Sequence, residues 1–144
     1  MREFSMATVI TLFILLVSTA YAQTGTIAVK VAQIVVQEGG KVKIGIYGPK
    51  GFPVVGKEIH GINLEVKGTS AEYVFKNIPV GNYAIAVFQD VNNDGKLNKN
   101  LFGAPSEPYG FSENQYGIFG PPDFEDVSFH IKENKSISFT INLE

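Results

Sequence analysis

The chain has 144 residues and no cysteine, and its 12 Lys and Arg nearly balance its 14 Asp and Glu, giving a formal net charge of −2. This balance leaves no basic patch for nucleic acid or anionic lipid, and the lack of cysteine excludes a disulfide-stabilised scaffold. We expect one small domain whose stability comes from a single hydrophobic core and from a bound ion.

Residues 1–22 have the layout of a secretory signal peptide. Arg2 precedes an apolar run at 9–17, and Ala20-Tyr21-Ala22 forms a small-x-small cleavage site. The apolar run is shorter than the about 20 residues that a membrane-spanning helix needs, and no later segment is long and apolar enough to span. We predict cleavage, a mature domain at 23–144, and export to the periplasm or to the extracellular space of a bacterium. An uncleaved anchor is the competing interpretation.

Seven stretches of the mature chain are predicted strands: six alternate apolar and polar residues as half-buried strands do, and the one at 83–88 is apolar on both faces, as a central strand would be. They lie at 26–36, 42–47, 62–66, 71–75, 83–88, 127–131 and 137–143. Since no stretch sustains a helical apolar period, we predict an all-β fold, a seven-stranded antiparallel β-sandwich of immunoglobulin-like or prealbumin-like type. Ile44, Val87, Phe139 and Ile141 should share one core. One long loop, rich in Gly, Pro and aromatic residues, separates the fifth and sixth strands.

The segment that follows the fifth strand reads DVNNDGKLN and carries oxygen-bearing groups on alternate residues. It matches the calcium-loop pattern D-x-[DN]-x-[DN]-G, in which the glycine permits a sharp turn. Calcium takes six to eight oxygen ligands, which side chains at this spacing can direct to one point. The predicted ligands are Asp90, Asn92, Asp94, the carbonyl group of Lys96, and Asn98.

The loop is not an EF-hand, because Leu101 stands where an EF-hand has its bidentate glutamate and because the loop follows a strand. The last carboxylate must come from elsewhere, and the candidates are Glu107, Asp123, Glu125 and Asp126. With only two carboxylates in the motif, calcium should bind weakly. The alternative is a solvated polar turn, since Asn, Asp and Gly dominate turns for conformational reasons.

Residues 101–124 contain six aromatic residues, four prolines and four glycines. One interpretation is that the aromatic side chains form a small core that caps one end of the sandwich. The other is a binding surface for a protein or saccharide ligand, because binding sites combine aromatic side chains with a few polar groups. The residues predicted to bind such a ligand are Tyr109, Phe111, Ser112 and Asn114.

The sequence offers little chemistry for an enzyme, and we predict no catalytic residue. His60 and His130 lie beside or on polar strand faces, and without cysteine or a close histidine pair zinc is disfavoured. Glu107 with an acidic partner in the long loop could supply the paired carboxylates of a glycosidase. We therefore favour an exported, non-enzymatic binding module, with a hydrolase of envelope saccharides as the alternative.

Three segments within residues 83–129 carry a resemblance to a known family: YAIAVFQDVNNDGKLN, FGAPSEPYGFSEN and FGPPDFEDVSF. The chain resembles the bacterial exported proteins of domain-of-unknown-function family 2141. The resemblance implies export and this loop architecture. Members typically have His-Asp where this chain has Gln89 and Asp90, and Asp in place of Asn98. The metal loop here therefore has one charge fewer.

A second resemblance rests on residues 75–83, which read FKNIPVGNY. This segment is similar to the F-x-N-L-P-x-G-x-Y turn of transthyretin-like and collagen-binding B-type sandwiches. It implies a seven-stranded sandwich of a kind common in extracellular modules.

Overall fold

The computed structural model describes residues 22–144, so the predicted signal peptide lies outside the described residues except for Ala22. The described residues form eight strands, one short α-helix and two short 3-10 helices. The strands are β1 (Thr24–Ala32), β2 (Lys41–Tyr47), β3 (His60–Glu65), β4 (Ser70–Pro79), β5 (Gly81–Asp90), β6 (Tyr109–Phe111), β7 (Phe129–Ile131) and β8 (Ser136–Asn142). The helices are α1 (Phe124–Val127) and the 3-10 helices Val36–Glu38 and Ser112–Asn114. The predicted all-β class is confirmed.

The strands form two sheets. The first has the order β4-β1-β8, and the second has the order β3-β2-β5-β6, with β7 also paired to β5. β7 pairs with the start of β5 at Gly81–Tyr83, and β6 pairs with its later part at Ala86–Phe88. β1 and β8 run parallel. The predicted all-antiparallel pairing fails here, because the chain crosses between sheets from β7 to β8 and does not fold back as a hairpin.

The core lies between the two sheets and follows the alternation of the strands. In β2, Val42, Ile44 and Ile46 are at most 1% exposed, whereas Lys43 between the first two is half-buried. Side chains from β1, β4, β5 and β8 join them in one cluster, including the predicted Val87 and Ile141. Phe139 is only half-buried, contrary to expectation, because β8 is an edge strand of its sheet.

A second hydrophobic cluster covers the outer face of the second sheet. Ala84, Phe111 and Val127 are buried there, and several aromatic side chains pack around them: Phe52, Tyr109, Tyr116 and Phe124. The aromatic segment therefore does form a small core, but on a sheet face. It also contributes β6, which is additional to the seven predicted strands and lies where the sequence predicted only a loop.

Within residues 22–144, no helix has the length and apolarity that crossing a membrane requires.

Alkaline titration tests the burial of two tyrosines on the second sheet. Burial raises the pKa of Tyr47 from 10.0 to about 12, and the charge of Glu58 adds to the shift. Burial likewise raises the pKa of Tyr116 to about 12. Above pH 10 the unfolded chain loses these protons while the native protein keeps them, so stability present below pH 10 is lost as the pH approaches 12.

We expect the free energy of unfolding to fall by about 2 kcal/mol over this range through Tyr47 alone. Urea titrations at several pH values measure it, and Tyr47→Phe should show the smaller pH dependence. Equal pH dependence in the two proteins would contradict the burial of this phenol.

Candidate functional site

The loop after β5 is folded by its own side chains. Asp90 is 3% exposed, and its two carboxylate oxygens accept the backbone N–H groups of Asp94 (3.1 Å) and Gly95 (2.9 Å). The side-chain oxygen of Asn92 accepts the same N–H of Asp94 at 3.1 Å. Gly95 has a φ of 79°, in the left-handed region that glycine adopts without steric cost. The predicted loop residues thus share one compact turn.

Asp94 links both ends of this turn. Its Oδ1 accepts the N–H of Lys96 at 2.8 Å, and its Oδ2 accepts the side-chain amides of Asn98 (3.0 Å) and Asn92 (3.2 Å). The hydrogen bond from Asn98, followed by the one from Lys96, lowers the pKa of Asp94 below its ordinary value of 3.8. The exposed carboxylate is therefore charged at neutral pH and open to a cation.

Glu107, the first of the four candidate carboxylates, does reach this loop. It is 7% exposed, and its two oxygens accept the backbone N–H groups of Val91 and Asn98, each at 2.9 Å. A carboxylate that accepts two N–H groups in a buried place is a strong, directional connection. Glu107 thus clamps the two ends of the Asp90 loop through the backbone.

The side-chain oxygen of Asn98 is buried and has no hydrogen-bond partner among the described residues. A buried polar atom without a partner is costly and rare in native proteins. Asn98 turns its amide nitrogen toward Asp94, so no donor of the described residues reaches its side-chain oxygen.

The residues of the loop fit calcium in their chemistry, since carboxylate, amide and carbonyl oxygens are its preferred ligands. Within residues 22–144, no three His, Cys, Asp or Glu side chains are grouped to hold a metal. A calcium ion here would therefore rely on Asp90 and Asp94 together with neutral oxygens.

The other three candidate carboxylates lie elsewhere. Asp123, Glu125 and Asp126 precede or form α1, which leads directly into β7. β7 pairs with the start of β5, whereas Asp90 ends β5, and Tyr83 and Asp90 are about 23 Å apart along the strand. The structure does not bring these three carboxylates to the loop.

Two of the four predicted ligand-binding residues are internal. Phe111 is 5% exposed and Ser112 is fully buried. The Ser112 hydroxyl accepts the N–H of Ile85 at 3.0 Å and donates to the carbonyl oxygen of Val127 at 2.6 Å. Ser112 thus joins β5 to the end of α1, and neither side chain presents itself to a ligand.

The other two also have structural partners. Tyr109 is half-buried, with its ring centroid 5.8 Å from that of Phe111. Asn114 is exposed, but its amide donates to the carbonyl oxygen of Thr140 and accepts the N–H of Asn142, both at 2.8 Å. Asn114 therefore fastens the aromatic segment to β8.

The exposed apolar residues of the long segment were not predicted. Leu101, Phe102, Ile118 and Phe119 are each at least 90% exposed. The first two occupy a tight turn, in which the side-chain oxygen of Asn100 accepts the N–H groups of Phe102 and Ala104. Exposed pairs of large apolar side chains are typical of interaction sites. In the sequence they are indistinguishable from the aromatic residues that are buried.

Gln89 has a structural role that the sequence did not predict. It is fully buried in β5, and its amide exchanges hydrogen bonds with the N–H (2.9 Å) and carbonyl oxygen (2.8 Å) of Val35. It also donates to the carbonyl oxygen of Gly39 at 2.7 Å. A polar residue at the end of an apolar strand was the available signal. Gln89 anchors the segment between β1 and β2 beside Asp90.

A comparison with protein families supports the resemblance drawn from the sequence. The family model described as "Uncharacterized protein conserved in bacteria (DUF2141)" matches residues 22–138, which include the whole Asp90 loop and the aromatic segment. Neither the curated proteins nor the solved structures contain a match to the chain.

Proposed function

The chain belongs to the bacterial protein family DUF2141, and we propose that it is an exported, non-enzymatic binding module whose Asp90 loop takes up calcium. The observation that carries the calcium proposal is the buried, unpartnered side-chain oxygen of Asn98. A cation between this oxygen and the carboxylates of Asp90 and Asp94 would supply the missing partner and neutralise two negative charges.

The proposed scaffold is a β-sandwich of the immunoglobulin-like or prealbumin-like type. The turn from β4 to β5 supports it, because the Tyr83 hydroxyl donates to the carbonyl oxygen of Pro79 at 2.8 Å. A tyrosine at the start of a strand that bonds back to the preceding corner recurs in such sandwiches.

Calcium would serve to fix the segment that follows β5. Glu107 holds the two ends of the Asp90 loop, and the turn that contains Leu101 and Phe102 begins directly after this loop. A rigid loop presents these exposed side chains at a lower entropic cost of binding than a mobile one. The proposed partner is a protein or a saccharide, bound by the exposed apolar turns.

The hydrolase of envelope saccharides has less support. Glu107 uses both carboxylate oxygens to accept backbone N–H groups, which leaves it poorly placed as an acid or base. His130 is exposed and paired to the side chain of Asn82 at 2.8 Å. We therefore keep the binding module as the proposal.

Thermal denaturation of chelator-treated protein, with and without calcium, tests the calcium proposal. Two carboxylates with neutral oxygens suggest a Kd of about 10⁻⁴–10⁻³ M. At a Kd of about 0.1 mM, about 1 mM calcium adds about 1.4 kcal/mol, or a Tm rise of about 3–6 °C. Magnesium should raise Tm less, because it demands tighter octahedral geometry and dehydrates reluctantly.

Asp94→Asn and Asn98→Ala should each remove most of this rise in Tm. The first substitution removes a negative charge from the proposed site, and the second removes a ligand oxygen. Lys99→Ala, an exposed position beside the loop, should keep the rise and serves as the control. An unchanged Tm with calcium in the unsubstituted protein, at constant ionic strength, would assign residues 90–98 to a polar turn.

Export has its own test, since it rests on the layout of residues 1–22 and not on the fold. We expect protein recovered from the bacterial envelope to begin at Gln23, because cleavage after Ala-Tyr-Ala follows the small-x-small rule. Intact-mass spectrometry measures this directly. Recovery of a chain that still contains residues 9–17 would contradict signal cleavage.

A further inference from the structure

Strand β4 lies at one edge of the first sheet, and its outer side is open. Among residues 22–144, β4 pairs with β1 alone. The N–H of Thr26 donates to the carbonyl oxygen of Lys135, immediately before β8, so the odd-numbered residues of β1 direct their backbone groups to β4. They face Tyr73 and its odd-numbered neighbours. The N–H and carbonyl groups of Glu72 and Val74 therefore point to the open side.

The other edge of the same sheet is covered by the aromatic segment. The side chain of Asn114 donates to the carbonyl oxygen of Thr140 and accepts the N–H of Asn142 on β8, both at 2.8 Å. The Tyr116 hydroxyl donates to the carbonyl oxygen of Asn142 at 2.6 Å. An uncovered edge strand is a template on which another strand can pair. With 10 residues, β4 is long enough to serve as one.

The core is also thinly covered along the open side. β3, the edge strand of the second sheet, joins β4 through residues 66–69, so the two edge strands lie on the same side of the molecule. Half-buried apolar side chains of this region pack against the core: Ile62, Leu64, Val66, Ala71 and Tyr73. A strand added beside β4 would remove part of this apolar surface from water, which favours association.

The open side of β4 has a charge pattern that is complementary to itself. Glu72 and Lys76 stand two residues before and two residues after Val74, and all three side chains are exposed. In an antiparallel pair of identical strands, each position faces its mirror position in the other copy. Pairing about Val74 sets each Glu72 opposite Lys76 of the other copy. Parallel pairing in register would set like charges side by side, which destabilises a sheet.

We propose that this open edge binds a second copy of the chain, with the two β4 strands antiparallel about Val74. The product is a two-fold symmetric dimer in which the β4-β1-β8 sheets of both copies join into one. The outward-pointing backbone groups of Glu72 and Val74 would bond across the two-fold axis. The inference goes beyond the proposed function, and it depends neither on calcium nor on the exposed apolar turns.

Side chains on both faces of the new strand pair support this register. On the outer face, Lys30 lies 3.4 Å from Oε1 of Glu72, which leaves Oε2 for Lys76 of the second copy. Within residues 22–144, Lys76 has no ion pair of its own. On the core face, the half-buried Tyr73 is set opposite Phe75 of the second copy. Opposite charges and aromatic side chains are both favourable cross-strand pairs.

Sedimentation equilibrium of the purified protein in chelator tests the proposal, and a failure of calcium binding leaves this measurement unaffected. The mass should rise from that of one chain to that of two between about 1 µM and about 1 mM, because a single strand pair is a small interface. It should stop there, since each copy has one β4 and an isologous contact is closed. A monomer throughout this range, or growth beyond two copies, would overturn the proposal.

Val74→Pro identifies the edge. Proline removes the N–H at the centre of the strand pair, but that N–H points away from β1, so the sheet within one chain keeps its hydrogen bonds. The variant should remain a folded monomer at concentrations at which the unsubstituted protein is dimeric, with circular dichroism as the check on folding. A folded Val74→Pro dimer of unchanged affinity would contradict pairing through β4.

Mixing two charge variants tests the register without relying on proline. Glu72→Lys and Lys76→Glu should each weaken self-association at least about tenfold, because like charges then face each other at two places in the dimer. An equimolar mixture of the two variants should form a mixed dimer of nearly the original affinity, since every cross-strand pair is again of opposite charge. Native mass spectrometry distinguishes the mixed dimer by its mass.

Glu125→Lys makes the same change in charge on α1, outside the edge, and should leave the dimer unchanged. Any general effect of the substitutions on folding is the same in the separate and the mixed samples, so the comparison between them reports on pairing alone. A mixture that contains no more dimer than the two variants measured separately would contradict the antiparallel register about Val74.

Discussion

Replacing Glu107 with alanine is expected to lower the free energy of unfolding by about 2–5 kcal/mol. The carboxylate is buried and accepts the N–H groups of Val91 and Asn98, which lie sixteen and nine residues away in the sequence, respectively. Alanine leaves two partly buried donors without acceptors, and each such group costs about 1–3 kcal/mol. The loss should appear in urea denaturation as a lower midpoint with an unchanged slope.

Glu107→Gln provides the matched variant, because its amide keeps one acceptor oxygen and should retain part of the stability. Glu133→Ala, at an exposed turn, is the control and should change stability by less than about 0.5 kcal/mol. A loss below about 1 kcal/mol in Glu107→Ala would show that the clamp on the Asp90 loop does not form.

Replacing Phe111 with alanine is expected to cost about 3–5 kcal/mol, the range for a buried aromatic side chain. Phe111 is 5% exposed at the centre of the second hydrophobic cluster. Its ring centroid lies 5.7 Å from that of Phe52, 5.8 Å from that of Tyr109 and 6.1 Å from that of Tyr116. Alanine would leave a cavity that these rings cannot close without losing their edge-to-face contacts.

Phe119→Ala tests the same residue type in the same segment and is the control. Its side chain is fully exposed, so truncation should change stability by less than about 0.5 kcal/mol. Equal losses at Phe111 and Phe119 would mean that the second cluster is not packed as described.

The sequence predicts the fold class well, because alternation fixes which side of a strand faces the core. Val42, Ile44 and Ile46 are buried as their spacing indicates. It does not predict β6, because the three residues of this strand lie in a segment of glycines and prolines that shows no strand period on either side of them. Gly110 in β6 is explained only by tertiary structure, as a Cβ there would lie 2.7 Å from the carbonyl oxygen of Asn142.

The spacing of oxygen-bearing residues locates the Asp90 loop, but two contributions to it leave no pattern in the sequence. Glu107 acts on backbone N–H groups, which every residue type carries. Gln89 bonds the backbone of residues 35 and 39, more than fifty residues away in the first case. Likewise, only three-dimensional packing distinguishes the buried Phe111 from the exposed Phe102. Long-range contacts to the backbone therefore limit what the sequence predicts about this site.

The most direct test of the proposed calcium loop is a high-resolution crystal structure of the protein grown with calcium. We expect an ion coordinated by Asp90, Asp94 and the side-chain oxygen of Asn98, each at about 2.3–2.6 Å. The oxygen of Asn98, which has no partner among the described residues, would then be satisfied. Density that shows no ion at this loop, with Asn98 bonded only to protein or water, would contradict it.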